Sequence, residues 1–182
     1  WSSDVCSSDL TFIGNVHAVY VFAGNLTVNG GTFSVKQKYS EEYPDEYVLN
    51  CYDDNYKNAT ASITVNGGIF QGFNPQDCRA EGEGTDFCSD KCIVTSEEKD
   101  GITAYTVAPL TAENAVAQVE GDYFASLDSA FAAAEEGSTV QLLRNTTYNN
   151  RINVEKDVIL DLGGYTLTSE TSHSFVVYPS KS

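Results

Sequence analysis

An internal repeat limits the folds open to this chain more than any other feature of its sequence. The segment LTVNGGTF, from Leu26 to Phe33, recurs as ITVNGGIF from Ile63 to Phe70, 37 positions later, with six of eight residues identical. In both copies apolar residues alternate with polar ones, which is the pattern of a strand with one buried face. The following Asn-Gly-Gly predicts a corner, because glycine tolerates positive φ. A period of this length is typical of stacked repeats.

The repeat predicts an all-β fold made of right-handed parallel β-solenoid coils. We expect the two copies to pair in parallel in one sheet, and Asn29 and Asn66 to stack as a ladder of amides at the corner. Six apolar side chains of the two copies should be buried: Leu26, Val28, Phe33, Ile63, Val65 and Phe70. The segments 36–46 and 53–59 should loop out sideways, and the Gly-rich, acidic segment 71–91 should form a longer excursion.

The chain divides into three predicted parts. Residues 1–10 resemble a translated sequencing adapter, so we interpret them as an artefactual scar that packs on nothing, and we expect both ends to be truncated. Residues 11–112 should form the last coils of one solenoid module, ending in a hairpin with Asp100-Gly101 at its turn. Residues 113–182 should begin a second module. There Ser126 is expected to start a short capping helix from Leu127 to about Glu136.

Composition excludes several classes of function. The formal net charge of −16 repels the phosphates of nucleic acids and anionic membranes. No apolar run approaches the roughly 20 residues that span a bilayer, so we expect no membrane insertion in this chain. Eleven tyrosines, together with only ten Lys and Arg residues, suit an extracellular or cell-surface β protein.

Four cysteines lie outside the first ten residues. In a secreted protein, a disulfide between Cys78 and either Cys88 or Cys92 would staple the acidic excursion. A zinc site that also uses Cys51 is an alternative, although the paired CxxC motifs of such sites are missing. Free buried thiols are the third reading.

Two longer segments carry a resemblance to a known family. YVLNCYDDNYKNATASITVNGGIFQGFNPQD, followed by AEGEGTDF, resembles the pectin-lyase-like right-handed β-helix repeats in large surface proteins of gut and other anaerobic bacteria. DYFASLDSAFAAAEEGSTVQLLRNTTYNNRINVEKDVILDLGGYTL looks like the opening of another such module. The resemblance implies a β-helix whose functions range from polysaccharide lyases and glycoside hydrolases to tailspikes and non-catalytic adhesins.

The residues offer no obvious catalytic constellation, so we expect no catalytic residues in this chain. The three arginines are scattered at Arg79, Arg144 and Arg151, and His17 and His173 each precede a strand as edge residues. Ca²⁺ is the one cofactor we consider, because hard oxygen ligands gather in one short loop. They are Asp53, Asp54, Asn55 and Asn58. A solvated acidic loop is the alternative interpretation.

The sequence therefore predicts a non-catalytic module of a secreted surface protein, used for adhesion or display. Its expected partners are host or environmental glycans, including mucin, and neighbouring solenoid modules of the same chain. The proposed glycan contacts are Tyr43, Tyr52 and Tyr56, with Tyr39 as a further candidate, because tyrosines give rigid contact surface at low entropy cost. The alternatives are a fragment of a polysaccharide lyase or glycoside hydrolase whose active coils lie elsewhere, and a phage tail or spike component.

Overall fold

The fold is taken from a computed structural model, which describes residues 2–5, 10–41, 47–172 and 175–177. The chain divides into two compact units, Trp1–Pro109 and Leu110–Ser182. This division lies three residues before the boundary between 112 and 113 that the sequence predicts. Within the described residues, no helix is long and apolar enough to cross a membrane.

The first unit is built mainly of strands. Its elements in chain order are β1 (Ser2–Val5), β2 (Thr11–Gly14), β3 (Val19–Val21), β4 (Gly24–Val35), β5 (Leu49–Cys51), α1 (Asp53–Lys57), β6 (Ala61–Gln71), β7 (Cys92–Lys99) and β8 (Ile102–Pro109). Six of them form one sheet with the order β1-β4-β6-β8-β7, in which β2 also pairs with β4. The strands β3 and β5 form a separate parallel pair.

The pairing predicted between the two repeat copies is confirmed. Strands β4 and β6 are parallel, with Leu26 opposite Ile63 and Val28 opposite Val65. Of the six side chains expected in the core, five are buried and Leu26 is half-buried. The amide Nδ2 of Asn66 donates to Oδ1 of Asn29 at 2.8 Å, which is the predicted corner ladder.

The predicted β-solenoid is wrong. After β6 the chain returns as a hairpin, and β8 pairs with β6 in the antiparallel sense, so a third parallel strand does not follow. Asp100 and Gly101 both have positive φ, as expected for the tight turn that joins β7 to β8. Because this local pairing is antiparallel, it ends the parallel stack. The described strands form small mixed and parallel sheets, and they contain no closed or solenoid sheet.

The first ten residues also differ from the prediction that they pack on nothing. Strand β1 pairs in parallel with β4, with Ser2 opposite Asn25 and Val5 opposite Val28. The carbonyl of Leu10 accepts a hydrogen bond from the backbone N–H of Thr32 at 2.8 Å. Part of this segment is therefore integrated into the main sheet.

The second unit combines one helix with short strands. Its elements are β9 (Ala117–Val119), β10 (Asp122–Phe124), α2 (Leu127–Ala133), β11 (Thr139–Leu142), β12 (Thr146–Thr147), β13 (Ile152–Val154), β14 (Ile159–Asp161), β15 (Leu167–Thr168) and β16 (Phe175–Val177). A four-stranded sheet has the order β10-β9-β11-β14 and is antiparallel except between β11 and β14. Two parallel pairs, β12 with β15 and β13 with β16, lie apart from it.

The predicted helix of the second unit is confirmed, although it is shorter than expected. Ser126 caps it by accepting the N–H of Ser129 at 3.1 Å. The helix ends at Ala133, whereas the sequence predicted an end near Glu136. Leu127, Ala130 and the adjacent Ala134 are buried in the core of this unit. The helix thus packs against short sheets and does not cap a solenoid.

Candidate functional site

The candidate site lies on the outer face of the parallel pair β3 and β5. Tyr20 is opposite Asn50, and Val21 is opposite Cys51. Side chains alternate between the two faces of a strand. Because Leu49 and Cys51 are fully buried on the inner face, Tyr20 and Asn50 point outward.

Four aromatic residues gather on this face, and we call them the tyrosine cluster: His17, Tyr20, Tyr39 and Tyr47. The His17 ring centre lies 5.4 Å from that of Tyr20, 6.4 Å from that of Tyr39 and 6.2 Å from that of Tyr47. The rings of Tyr39 and Tyr47 meet edge to face at 6.4 Å. The cluster lines an open cavity of about 480 Å³, whose other walls are Asn50, Asp53 and Ala80.

Asn50 contacts the imidazole. Its amide Nδ2 lies 3.1 Å from Nε2 of His17. In this arrangement the amide nitrogen donates to Nε2 of the neutral tautomer that carries its proton on Nδ1. Burial lowers the pKa of His17 below its ordinary value, which favours the same neutral state.

The other end of the Asn50 amide is unsatisfied. Within the described part of the chain, its Oδ1 is buried and has no hydrogen-bond partner. Leaving a buried acceptor unpaired costs about 1–3 kcal/mol. Most buried polar atoms avoid this cost, so the Asn50 oxygen is an exception among the described residues.

Acidic groups border the cavity. Asp53 lines it directly, and Glu81 anchors the neighbouring loop by accepting the backbone N–H of Cys51 at 2.6 Å. Burial raises the pKa of the Glu81 carboxyl, and the charge of Asp53 raises it further. The hydrogen bond from the Cys51 N–H acts in the opposite direction and lowers this pKa. Burial and then the charge of Asp53 also raise the pKa of the Tyr20 hydroxyl. The potential around the cavity is therefore negative.

The predicted glycan contacts lie at different places. Tyr52 is half-buried and stacks on Phe22, with 4.9 Å between ring centres. Tyr56 packs against the core of the first unit and meets Phe87 edge to face. Tyr39 belongs to the tyrosine cluster, whereas Tyr43 lies outside the described residues. Only Tyr39 among these lines the cavity.

The residues considered for Ca²⁺ lie in and just after helix α1, so the segment 53–59 is not the simple loop that was expected. Asn55 uses its Nδ2 to donate to the Phe22 carbonyl at 2.6 Å, and Asn58 donates to the Asp54 carbonyl at 2.7 Å. Asp54 accepts the Tyr52 hydroxyl at 3.2 Å. Each of these polar groups thus has a structural role, and Ca²⁺ binding here stays a prediction.

The four cysteines within the described residues, Cys51, Cys78, Cys88 and Cys92, are free thiols. Cys78 Sγ contacts the Thr85 carbonyl at 3.3 Å, and Cys92 Sγ contacts the Asn66 carbonyl at 3.2 Å. Burial raises the pKa of Cys78 to about 11 and that of Cys88 to about 12. Among the residues described, no group of three or more His, Cys, Asp or Glu side chains is arranged to hold a metal ion. A disulfide formed on oxidation stays a prediction.

The three arginines are divided between the two units. Arg79 belongs to the first unit, and Arg144 and Arg151 belong to the second. Arg144 donates to the Glu113 carbonyl, and Arg151 donates from Nε to Oδ1 of Asn153 at 2.9 Å. Each of these two therefore serves a local contact.

Sequence reasoning missed most of the cavity wall. It treated His17 as an edge residue and did not select Tyr20, Tyr47 or Asn50. The available signal was the strand alternation, which turns Tyr20 outward beside buried neighbours. The approach of Tyr20 to Tyr39 and Tyr47 depends on the pairing of β3 with β5. The sequence repeat does not specify that pairing.

The comparisons with known proteins add no relative. The chain matches no protein-family model, no curated protein and no solved structure. The resemblance to bacterial surface proteins therefore depends on the quoted segments alone.

Proposed function

We propose that this chain is a non-catalytic module of a secreted surface protein that binds glycans in the cavity of the tyrosine cluster. The observation that carries the proposal is the convergence of three tyrosines, His17, Asn50 and Asp53 on one open cavity. On β3 and β5 the outward Tyr20 and Asn50 alternate with residues that pack in the core of the first unit, which gives this surface a rigid base.

The chemistry of the cavity suits a sugar. A pyranose ring presents apolar C–H faces and a rim of hydroxyls. Tyrosine rings offer flat apolar surface together with a polar hydroxyl, at a low cost in conformational entropy. A carboxylate such as that of Asp53 accepts hydrogen bonds from sugar hydroxyls.

A site for a quaternary ammonium group fits less well. Such a cation is held in the middle of a cage of aromatic rings. Here the imidazole of His17 occupies the position between the three tyrosines. The cavity that these residues line is open to solvent.

Glycoside hydrolysis is the main rival. It requires two carboxyl groups flanking the scissile bond. Of the two nearby carboxylates, Asp53 is part of the described cavity wall, whereas Glu81 holds the backbone N–H of Cys51 and is not in that wall. This arrangement favours binding over cleavage.

A glycan array probed with the labelled protein tests the proposal. Tyr20→Ala and Tyr39→Ala should weaken binding by about tenfold or more, because central aromatic contacts dominate recognition. Tyr165→Ala is the matched control, since this tyrosine is 42% exposed and lies in the second unit. Equal binding by all variants, or no glycan bound, contradicts the proposal. Release of new reducing ends that Glu81→Gln abolishes favours a hydrolase.

A further inference from the structure

The outward face of β3 and β5 continues beyond the cavity. The backbone N–H of Tyr52 donates to the Val21 carbonyl at 2.9 Å, so pairing extends one residue past β5. Phe22 and Tyr52 lie two positions on from Tyr20 and Asn50, each one residue past the end of its strand. In an extended chain, residues two apart project from the same face, about 7 Å apart.

Phe22 and Tyr52 form a second flat aromatic surface, which we call the aromatic platform. Their rings stack with centres 4.9 Å apart and planes inclined by 24°. The Phe22 side chain is 63% exposed. Asn55 holds the Phe22 backbone through its carbonyl, and Asp54 accepts the Tyr52 hydroxyl. An exposed phenylalanine is thus kept in a fixed position.

The platform and the cluster are neighbours. Asp53, which lines the cavity, directly follows Tyr52 in the chain. Interaction with Tyr52 adds to the raised pKa of Tyr20, after burial and the charge of Asp53. The two aromatic surfaces therefore lie side by side along the strands.

We infer that the tyrosine cluster and the aromatic platform form one elongated site for an uncharged oligosaccharide, with one sugar over the cluster and the next over Phe22. This inference depends on the proposed glycan-binding function and adds the ligand's length and charge.

The preference for an uncharged ligand follows from the carboxylates around the site. Asp53 lines the cavity, Asp54 accepts the Tyr52 hydroxyl, and Glu81 acts electrostatically on Tyr20. The chain as a whole has a net charge of −16. Carboxylates at close range repel an anionic ligand. Uronic-acid chains and sialylated glycans are therefore disfavoured, whereas chains of neutral hexoses or N-acetylhexosamines are accepted.

Calorimetric titration with defined sugars tests the inference. The probes are chito-, cello- and xylo-oligosaccharides from the monosaccharide to the hexasaccharide, with oligogalacturonates as the anionic series. We expect one neutral series to gain about tenfold in affinity from monosaccharide to trisaccharide, as a second aromatic contact is added. Oligogalacturonates should not bind.

Variants separate the two parts of the site. Phe22→Ala should remove the gain with length and leave monosaccharide binding unchanged, and Tyr20→Ala should weaken binding at every length. Ile13→Ala is the matched control for Phe22→Ala, because Ile13 is 60% exposed in the same unit and should have no effect. Circular dichroism confirms that each variant is folded.

The outcomes distinguish this inference from the proposal on which it depends. If no sugar binds, both fail. If sugars bind with an affinity that is independent of length, or if Phe22→Ala keeps the gain, the elongated site is wrong while glycan binding stands. Tighter binding of oligogalacturonates than of neutral sugars refutes the inferred charge selectivity.

Discussion

His17 shows how one residue links the local chemistry of the site to pH. Its Nε2 lies 3.1 Å from the Asn50 amide, which donates to the neutral ring. Burial lowers the pKa of this histidine below its ordinary value, because desolvation disfavours the charged imidazolium. The neutral form is therefore favoured in the folded protein.

We predict that His17 makes the protein less stable in acid. Its folded pKa lies below the ordinary value of about 6.5. Between the two values the unfolded chain binds more protons, so the contribution of His17 to the free energy of unfolding is complete above about pH 6.5 and is lost as the pH falls below it.

Urea unfolding of the wild type and of His17→Gln over a series of pH values measures this contribution. Glutamine cannot titrate, and subtraction cancels the other titrating groups, including His173, which lies outside the described residues. The wild type should lose stability relative to the variant on acidification below about pH 6.5. A difference that is constant with pH would show that His17 is not involved.

At the scale of the elements, the first unit is organised by the parallel pair β4 and β6. Phe33 stacks between Phe12 and Phe70, with ring centres 5.0 and 5.1 Å apart. The corner between the two halves of each strand requires glycine, because Gly31 and Gly68 have φ of 107° and 129°. A Cβ on Gly68 would lie 3.1 Å from the Gly31 carbonyl oxygen.

We predict that Gly68→Ala is more destabilising than Gly82→Ala. Both glycines have nearly the same φ, 129° and 127°, but a Cβ at Gly82 has nothing within 4 Å. Backbone strain alone should cost about 1–2 kcal/mol at Gly82, and the added clash should bring the cost at Gly68 to about 2–4 kcal/mol. Chemical denaturation measures both. Equal losses would mean that the corner is not tightly packed.

These elements also show what the sequence could predict. The repeat predicted the parallel pairing of β4 with β6, since each copy carries the same inward residues and therefore the same register. The hairpin was predicted from Asp100-Gly101, but its attachment to β6 was not, because local patterns do not specify which edge a strand joins. For the same reason the site was only partly foreseen. Tyr20 meets Asn50 at an offset of 30 residues, which differs from the repeat period of 37.

At the scale of the whole molecule, the two units have separate hydrophobic cores. The first centres on buried residues such as Phe33, Val65 and Phe70, and the second on Leu127, Val140 and Leu142. No buried residue belongs to both clusters among the residues described. Units with their own cores commonly unfold as independent cooperative transitions.

We predict two thermal transitions that respond to different substitutions. Phe33→Ala should lower the melting temperature of the first unit alone, because it reduces the free energy of unfolding of that unit by about 3–5 kcal/mol. Leu142→Ala should lower the melting temperature of the second unit alone, with a loss of about 2–5 kcal/mol. Differential scanning calorimetry resolves the two. A single transition shifted by both variants would show that the units fold as one.

The antiparallel hairpin that follows β6 has a consequence for solubility. Strands β4 and β6 are nearly identical in sequence and pair in register. The free edge of such a pair has unpaired backbone groups to which the same strand of another molecule can add. Strand β8 covers the end of that edge from Gly68 to Gln71 and brings β7 with it, whose exposed Glu97, Glu98 and Lys99 carry charge. The hairpin thus protects a self-complementary sheet from recruiting a second molecule, and a chain without it would be prone to grow into fibrils.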